Sequence, residues 1–252
     1  MTPPTYADLA GMIDHALLHP TLTDADLRLG CDLAARYQVA TVCIKPYAIW
    51  RAVEWLEGTR VAVGTVIGFP HGSNAPEVKR FETQQACLAG AKEIDVVANI
   101  GAVLSGDWEL VADDLFGVCD EAHGHGARVK VIFETGFLLR DEDKAELCRR
   151  SARAGAEWVK TSTGFGFVKA ADGTMQATGA TEADLRLMLA SVPTGVQVKA
   201  SGGVRDLDAL LQVRALGCTR CGTSSTAAIL DEYRRREAGG IIENTGRLDS
   251  GY

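Results

Sequence analysis

Two lysines stand in otherwise apolar runs, Trp158-Val159-Lys160-Thr161-Ser162-Thr163-Gly164 and Val196-Gln197-Val198-Lys199-Ala200-Ser201-Gly202-Gly203. Burial disfavours the charged form of an amine, and a second cation nearby disfavours it further, so one of the two can fall from about 10.4 toward neutrality. A neutral amine attacks carbonyls, and the iminium it forms draws electrons so that the neighbouring carbon becomes an enamine nucleophile. Either lysine alone could simply reach past its strand to solvent. The pair, on adjacent strands at one level, favours Schiff-base chemistry, and spacing does not say which amine attacks. Asp95, in Glu93-Ile94-Asp95-Val96-Val97-Ala98-Asn99, shares a strand face with Val97 and Asn99. It could move protons during carbinolamine formation and breakdown, or serve as a structural ion pair, and the two roles can coexist.

A second constellation suits an anion. Gly202-Gly203-Val204-Arg205 follows one strand and leads into a helix capped near Asp206; Gly222-Thr223-Ser224-Ser225 follows the next strand just ahead of another helix. Glycines expose backbone N–H groups, and helix N-termini attract negative charge. One glycine turn would mean little. Two in succession, at the end of the chain's strand series, match the usual phosphate position of an eight-fold barrel.

These groups need a scaffold that brings strand ends together. Eight short runs read as strands: 12–17, 40–44, 60–67, 93–99, 128–133, 158–161, 195–200 and 219–223. Amphipathic stretches alternate with them, including Asp24 to Tyr37, Trp108 to Glu121, Asp141 to Ala154, Thr181 to Leu189 and Asp206 to Leu216, with Asp24, Asp107 and Thr181 as cap residues. The alternation predicts an α/β protein, a (β/α)8 TIM barrel forming a single domain over residues 1–252; an open doubly wound sheet is the alternative. Residues 164–179 read as a long glycine-containing loop, and the chain from about residue 239 as a mobile polar tail.

The 252 residues are 46% hydrophobic and 23% charged with a net charge of -7, which suits one sizeable core and argues against a nucleic-acid partner. The short Arg234-Arg235-Arg236 run suits a helix C-terminus. No membrane span and no signal peptide are expected, and the protein reads as cytoplasmic. Seven cysteines, an odd number, read as reduced thiols, and Cys218-Thr219-Arg220-Cys221 is a poor metal or disulfide motif on a strand. Five scattered histidines make a zinc centre hard to build, so no metal and no cofactor are expected.

At the same residues the sequence resembles the deoxyribose-phosphate aldolases, class I aldolases of barrel fold that reversibly cleave 2-deoxyribose 5-phosphate to glyceraldehyde 3-phosphate and acetaldehyde. The resemblance runs through Ile13-Asp14-His15, Val42-Cys43-Ile44, Val66-Ile67-Gly68-Phe69-Pro70-His71-Gly72, Val131-Ile132-Phe133-Glu134-Thr135 and the segments already quoted. It implies that Lys160 forms the Schiff base, that Lys199 depresses its pKa and that Asp95 relays protons. It puts phosphate contacts at Gly164, Gly202, Gly203, Ser224 and Ser225, extending to Val204 and Arg205, and Thr163 and Gly222 complete the candidate binding set. A phosphosugar substrate, a role in deoxyribose phosphate catabolism and a homodimer are further implications. The terminal Tyr252 matches a tail tyrosine that assists proton transfer at the enamine carbon. Three departures are Ala16, where many relatives carry threonine, Lys45, a further charge near the rim, and the longer loop after Gly164.

Overall fold

The computed structural model describes residues 3–169, 172–177 and 179–239. The described residues form ten strands: β1 (Ile13–Leu17), β2 (Thr41–Ile44), β3 (Ala62–Ile67), β4 (Glu93–Val97), β5 (Arg128–Ile132), β6 (Trp158–Lys160), β7 (Phe167–Lys169), β8 (Met175–Ala177), β9 (Gln197–Ser201) and β10 (Arg220–Thr223). All but β7 and β8 are parallel neighbours in a closed barrel, in the order β1-β10-β9-β6-β5-β4-β3-β2, with helices between successive barrel strands. This is the expected (β/α)8 barrel.

Strand alternation divides the molecule into two interiors. The outward residues Ile94, Val96, Val129, Val131, Val159, Val198 and Ala200 are buried against the helices in one continuous apolar core. Their inward neighbours are of another kind. Glu93, Asp95, Lys130, Lys160, Lys199 and Arg220 are all buried, so the inner barrel is lined with charge where such barrels more commonly stack Val, Ile and Leu. Among the described residues, no helix is long and apolar enough to cross a membrane.

Several expected boundaries shift for local reasons. The helix expected to be capped by Asp24 is capped by Thr23, whose side chain accepts from the Asp26 N–H while Asp26 returns the bond. Asp107, Thr181 and Asp206 cap their helices as anticipated. β4 stops at Val97 because Asn99 turns to cap the helix Ile100–Ser105, its side chain accepting from Ala102 N at 3.1 Å; Asn99 therefore does not extend the Asp95 strand face. The strand expected from Gly195 begins at Gln197, since Gly195 lies in a turn at φ +101°. The segment read as a long loop contains the antiparallel hairpin β7–β8, paired through Phe167↔Ala177 and Lys169↔Met175. Its turn is closed by the Asp172 side chain, which accepts from Thr174 N at 2.9 Å, next to Gly173 at φ +86°. The tail beyond residue 239 lies outside the described residues.

Candidate active site

Register brings the two lysines together. Lys160 on β6 pairs in register with Lys199 on β9, and Asp95 on β4 pairs with Lys130 on β5 one side-chain layer below. Asp95 accepts from three lysines at once: Lys130 at 2.7 Å on one oxygen, and Lys160 at 2.9 Å and Lys199 at 2.8 Å on the other. Lys130 is also 2.7 Å from Glu93 and 3.5 Å from Asp14. Lys199 binds Asp14 as well, and Arg220 joins Asp14 to Glu93, 2.8 Å from the latter. Lys160 is the lysine of this set with one carboxylate contact, on an oxygen it shares with Lys199.

Those contacts set the protonation states. Burial lowers the Lys160 pKa, and the Lys199 cation adds to the effect against the opposing pull of Asp95. Burial also works against Lys199 and Lys130, but around Lys199 the Asp14 and Asp95 carboxylates prevail, and around Lys130 Asp95, Asp14 and Glu93 do. Both amines are held above the ordinary lysine value. Burial would raise the Asp95 and Asp14 carboxyls, yet the surrounding lysines and, at Asp14, Arg220 hold both below the usual range. The site in the free protein thus combines a weakly held amine, a firmly charged ammonium and an ionised carboxylate.

Above this cluster, at the carboxyl ends of the strands, opens a cavity of about 650 Å³ lined by Asp14, Lys160 and Lys199. Every candidate binding residue faces it: Thr163 and Gly164 after β6, Gly202, Gly203, Val204 and Arg205 after β9, and Gly222, Ser224 and Ser225 on the last strand and its exit. The turn after β9 needs glycine twice, since Gly202 and Gly203 sit at φ +84° and +87°. Thr223 links the two glycine-containing loops, donating to Val204 O at 2.7 Å and accepting from Ser225 N at 3.0 Å. Ser225 precedes the helix Thr226–Ala238 without a side-chain cap bond, so its hydroxyl leaves the first helical N–H groups uncapped, and a helix start in that state can accept an anion. His15, which burial pushes down to about 4 and so keeps neutral, ties β1 to this helix start through Thr226 Oγ1 at 2.9 Å. On the other side Glu134 accepts from the Thr163 N–H at 3.1 Å and from its hydroxyl, fixing the turn after β6.

Four of the groups that build the site escaped the sequence reading. Lys130 sits in a β-branched run taken simply as a buried strand, although it carries the same signal as Lys160, a lysine inside an apolar strand. Asp14, Glu93 and Arg220 appeared only inside longer motifs, and nothing local shows that three distant strands aim them at one point. Lys45 stays near the rim without lining the cavity: its ammonium donates to the carbonyls of Pro20 at 3.1 Å and of the cavity-lining Leu22 at 2.8 Å. Ala16 and Cys43 both line the cavity, and burial pushes the Cys43 thiol up to about 11. All seven cysteines are buried and free. Among the described residues no cluster of His, Cys, Asp and Glu could hold a metal. Tyr252 lies outside the described residues.

A closed parallel barrel with lysines at its strand ends and glycine loops beside them defines a barrel enzyme with an amine-centred site. The DeoC/LacD family of aldolases matches residues 9–222, and the chain belongs to this family; it is a lyase acting on carbon–carbon bonds. A deoxyribose-phosphate aldolase of Rhodopirellula baltica is 48% identical over 98% of this chain and 98% of its own. One from Geobacillus sp. is 44% identical, covering 89% and 95% of the two chains. Among solved structures, the tetrameric deoxyribose phosphate aldolase of Aeropyrum pernix superposes with a TM-score of 0.81 at 33% identity, covering 91% of this chain and 92% of that one.

Proposed function

We propose that the chain is a class I aldolase that reversibly cleaves 2-deoxyribose 5-phosphate to glyceraldehyde 3-phosphate and acetaldehyde, with Lys160 as the Schiff-base nucleophile. The observation that carries this reading is the unequal anchoring of the lysines, since Lys160 alone of the three holds a single, shared carboxylate oxygen at the cavity. Its amine adds to the C1 carbonyl, and the Lys199 ammonium supplies the proton that lets the carbinolamine oxygen leave as water. The C2–C3 bond then breaks with its electrons drawn into the iminium, the C3 hydroxyl passes its proton to the Lys199 amine left neutral by the dehydration, and the enamine of acetaldehyde remains on Lys160. Protonation of the enamine and hydrolysis return the amine. Asp95 relays protons with Lys199 and holds that ammonium in place.

The phosphate is assigned to the N–H groups of Gly202 and Gly203, the hydroxyls of Ser224 and Ser225 and the helix start at Thr226, with Thr163, Gly164, Val204, Arg205 and Gly222 completing the pocket. Tyr252 is assigned to proton transfer at the enamine carbon. The reading includes a homodimer working in the cytoplasm, in deoxyribose phosphate catabolism, without a cofactor. Names of close relatives and the family match support the substrate.

Borohydride reduction in the presence of acetaldehyde, followed by peptide mapping, should find the adduct on Lys160; an adduct found only elsewhere rules the assignment out. A second reading, a Schiff-base aldolase for a different donor or phosphosugar, is favoured by Ala16, which brings no hydroxyl to the cavity wall. A panel of donor aldehydes and ketones assayed with glyceraldehyde 3-phosphate separates the two.

A further inference from the structure

The charges of the ion-pair network that Asp95, Asp14 and Glu93 knit together do not balance. Asp14, Glu93 and Asp95 supply three negative charges, while Lys130, Lys160, Lys199 and Arg220 can supply four positive ones, and all seven residues are less than a tenth exposed. Arg128 also touches Glu93, but its side chain is half exposed at the barrel base, where water screens it. A surplus charge in a low-dielectric interior is costly, and a buried group sheds it by changing protonation state. One amine is therefore favoured as neutral. Arg220 cannot be that group, since a guanidinium keeps its proton. Lys130 holds Asp95, Glu93 and Asp14, and Lys199 holds Asp95 and Asp14. Lys160 is left, with one oxygen of Asp95 that Lys199 also occupies.

We propose that Lys130 is a positioning residue for the aldol reaction: by occupying Asp95 and bringing the fourth positive charge, it leaves Lys160 as the free amine. This rests on the Schiff-base reading of Lys160. Lys130 is 1% exposed and acts from the layer below the cavity, through Asp95. The groups that face it come from every side of the barrel. They are Asp95 and Glu93 on β4, Asp14 on β1, Cys43 on β2, Lys199 on β9, Arg220 on β10 across the shared carboxylates, and the Trp158 ring on β6 at 5.7 Å. The three carboxylates and the ring face all favour its charged form.

The test follows the rate at which cyanoborohydride and acetaldehyde fix an adduct on Lys160 as pH is raised. Lys130→Met leaves three charges of each sign, and the rising limb is expected to move up by about one pH unit or more. Glu93→Gln changes the count the other way and should move the limb down. The double variant K130M/E93Q restores a surplus of one and should return the limb toward the parent's. A Lys130 of merely structural value would lower the rate at every pH and leave the limb in place. An unmoved limb in Lys130→Met overturns the proposal. Because Glu93→Gln retains every lysine, an unmoved or upward limb there overturns it too, even if the methionine variant does not fold. Absence of any Lys160 adduct in the parent enzyme is a different outcome: it sinks the Schiff-base reading itself.

Discussion

Lys160 and Lys199 are the same residue type at the same barrel level, and they differ by one carboxylate. Asp14 reaches Lys199 and not Lys160, which makes the first a lasting ammonium and the second a releasable one. If Lys160 attacks as the neutral amine, as proposed, activity should rise with pH through its depressed pKa. In Lys199→Ala, one of the two cations on Asp95 Oδ2 is gone and Lys160 is held more firmly as an ammonium. The rising limb of kcat/KM is expected to move to higher pH, and kcat to drop about a hundredfold or more if Lys199 is the proposed proton donor. A pH profile that coincides with the parent's would show that Lys199 does not tune its neighbour. Asp14→Asn should act on the same pair from the opposite side, loosening Lys199 so that the two lysines become alike. Dual labelling by borohydride trapping, with some adduct on Lys199, is the expected sign.

At the scale of elements, the two loops after β9 and β10 act as one unit because Thr223 bonds to both. Thr223→Val keeps the shape of the side chain and removes both bonds. It should raise KM for the phosphorylated substrate several-fold to tenfold, about 1 kcal/mol for bonds of this kind, while trapping of unphosphorylated acetaldehyde on Lys160 stays near the parent rate. Gly203→Ala should show the same selectivity more strongly, since a left-handed conformation costs a side-chain-bearing residue about 1–2 kcal/mol. Equal losses with both compounds would place these loops in folding and not in phosphate recognition. Segment 164–179 illustrates how an element can hide. Its glycines read as loop, yet the short apolar runs around Asp172-Gly173 satisfy their backbone groups by pairing with each other.

At the scale of the molecule, the barrel is held by an apolar outer core and a charged inner one, and they respond differently to solvent conditions. The outer core is indifferent to pH. The inner carboxylates Asp14, Glu93 and Asp95 have pKa values below those of the unfolded chain, so the stability they contribute is present above the ordinary carboxylate range and is lost as pH falls through and below it. Circular dichroism should show an acid transition that begins below about pH 4. Asp95→Asn leaves three lysines facing a neutral amide, and it should lower Tm by several degrees at pH 7, where the parent carboxylate is ionised. A variant as stable as the parent at pH 7 and at pH 3 would mean that the inner charges contribute little to the fold.

Order along the chain was enough to read the barrel, the paired lysines, Asp95 and the glycine loops, because each leaves a local mark: a strand-length apolar run, a lysine within it, a turn that only glycine tolerates. Resemblance to known aldolases then singled out Lys160. Tertiary structure decided what those residues are to one another. Lys130, Asp14, Glu93 and Arg220 come from different strands and meet only when the sheet closes, so no window of sequence contains their contacts. Whether a buried amine is neutral depends on every charge within a few ångströms, and that is a property of closure and register.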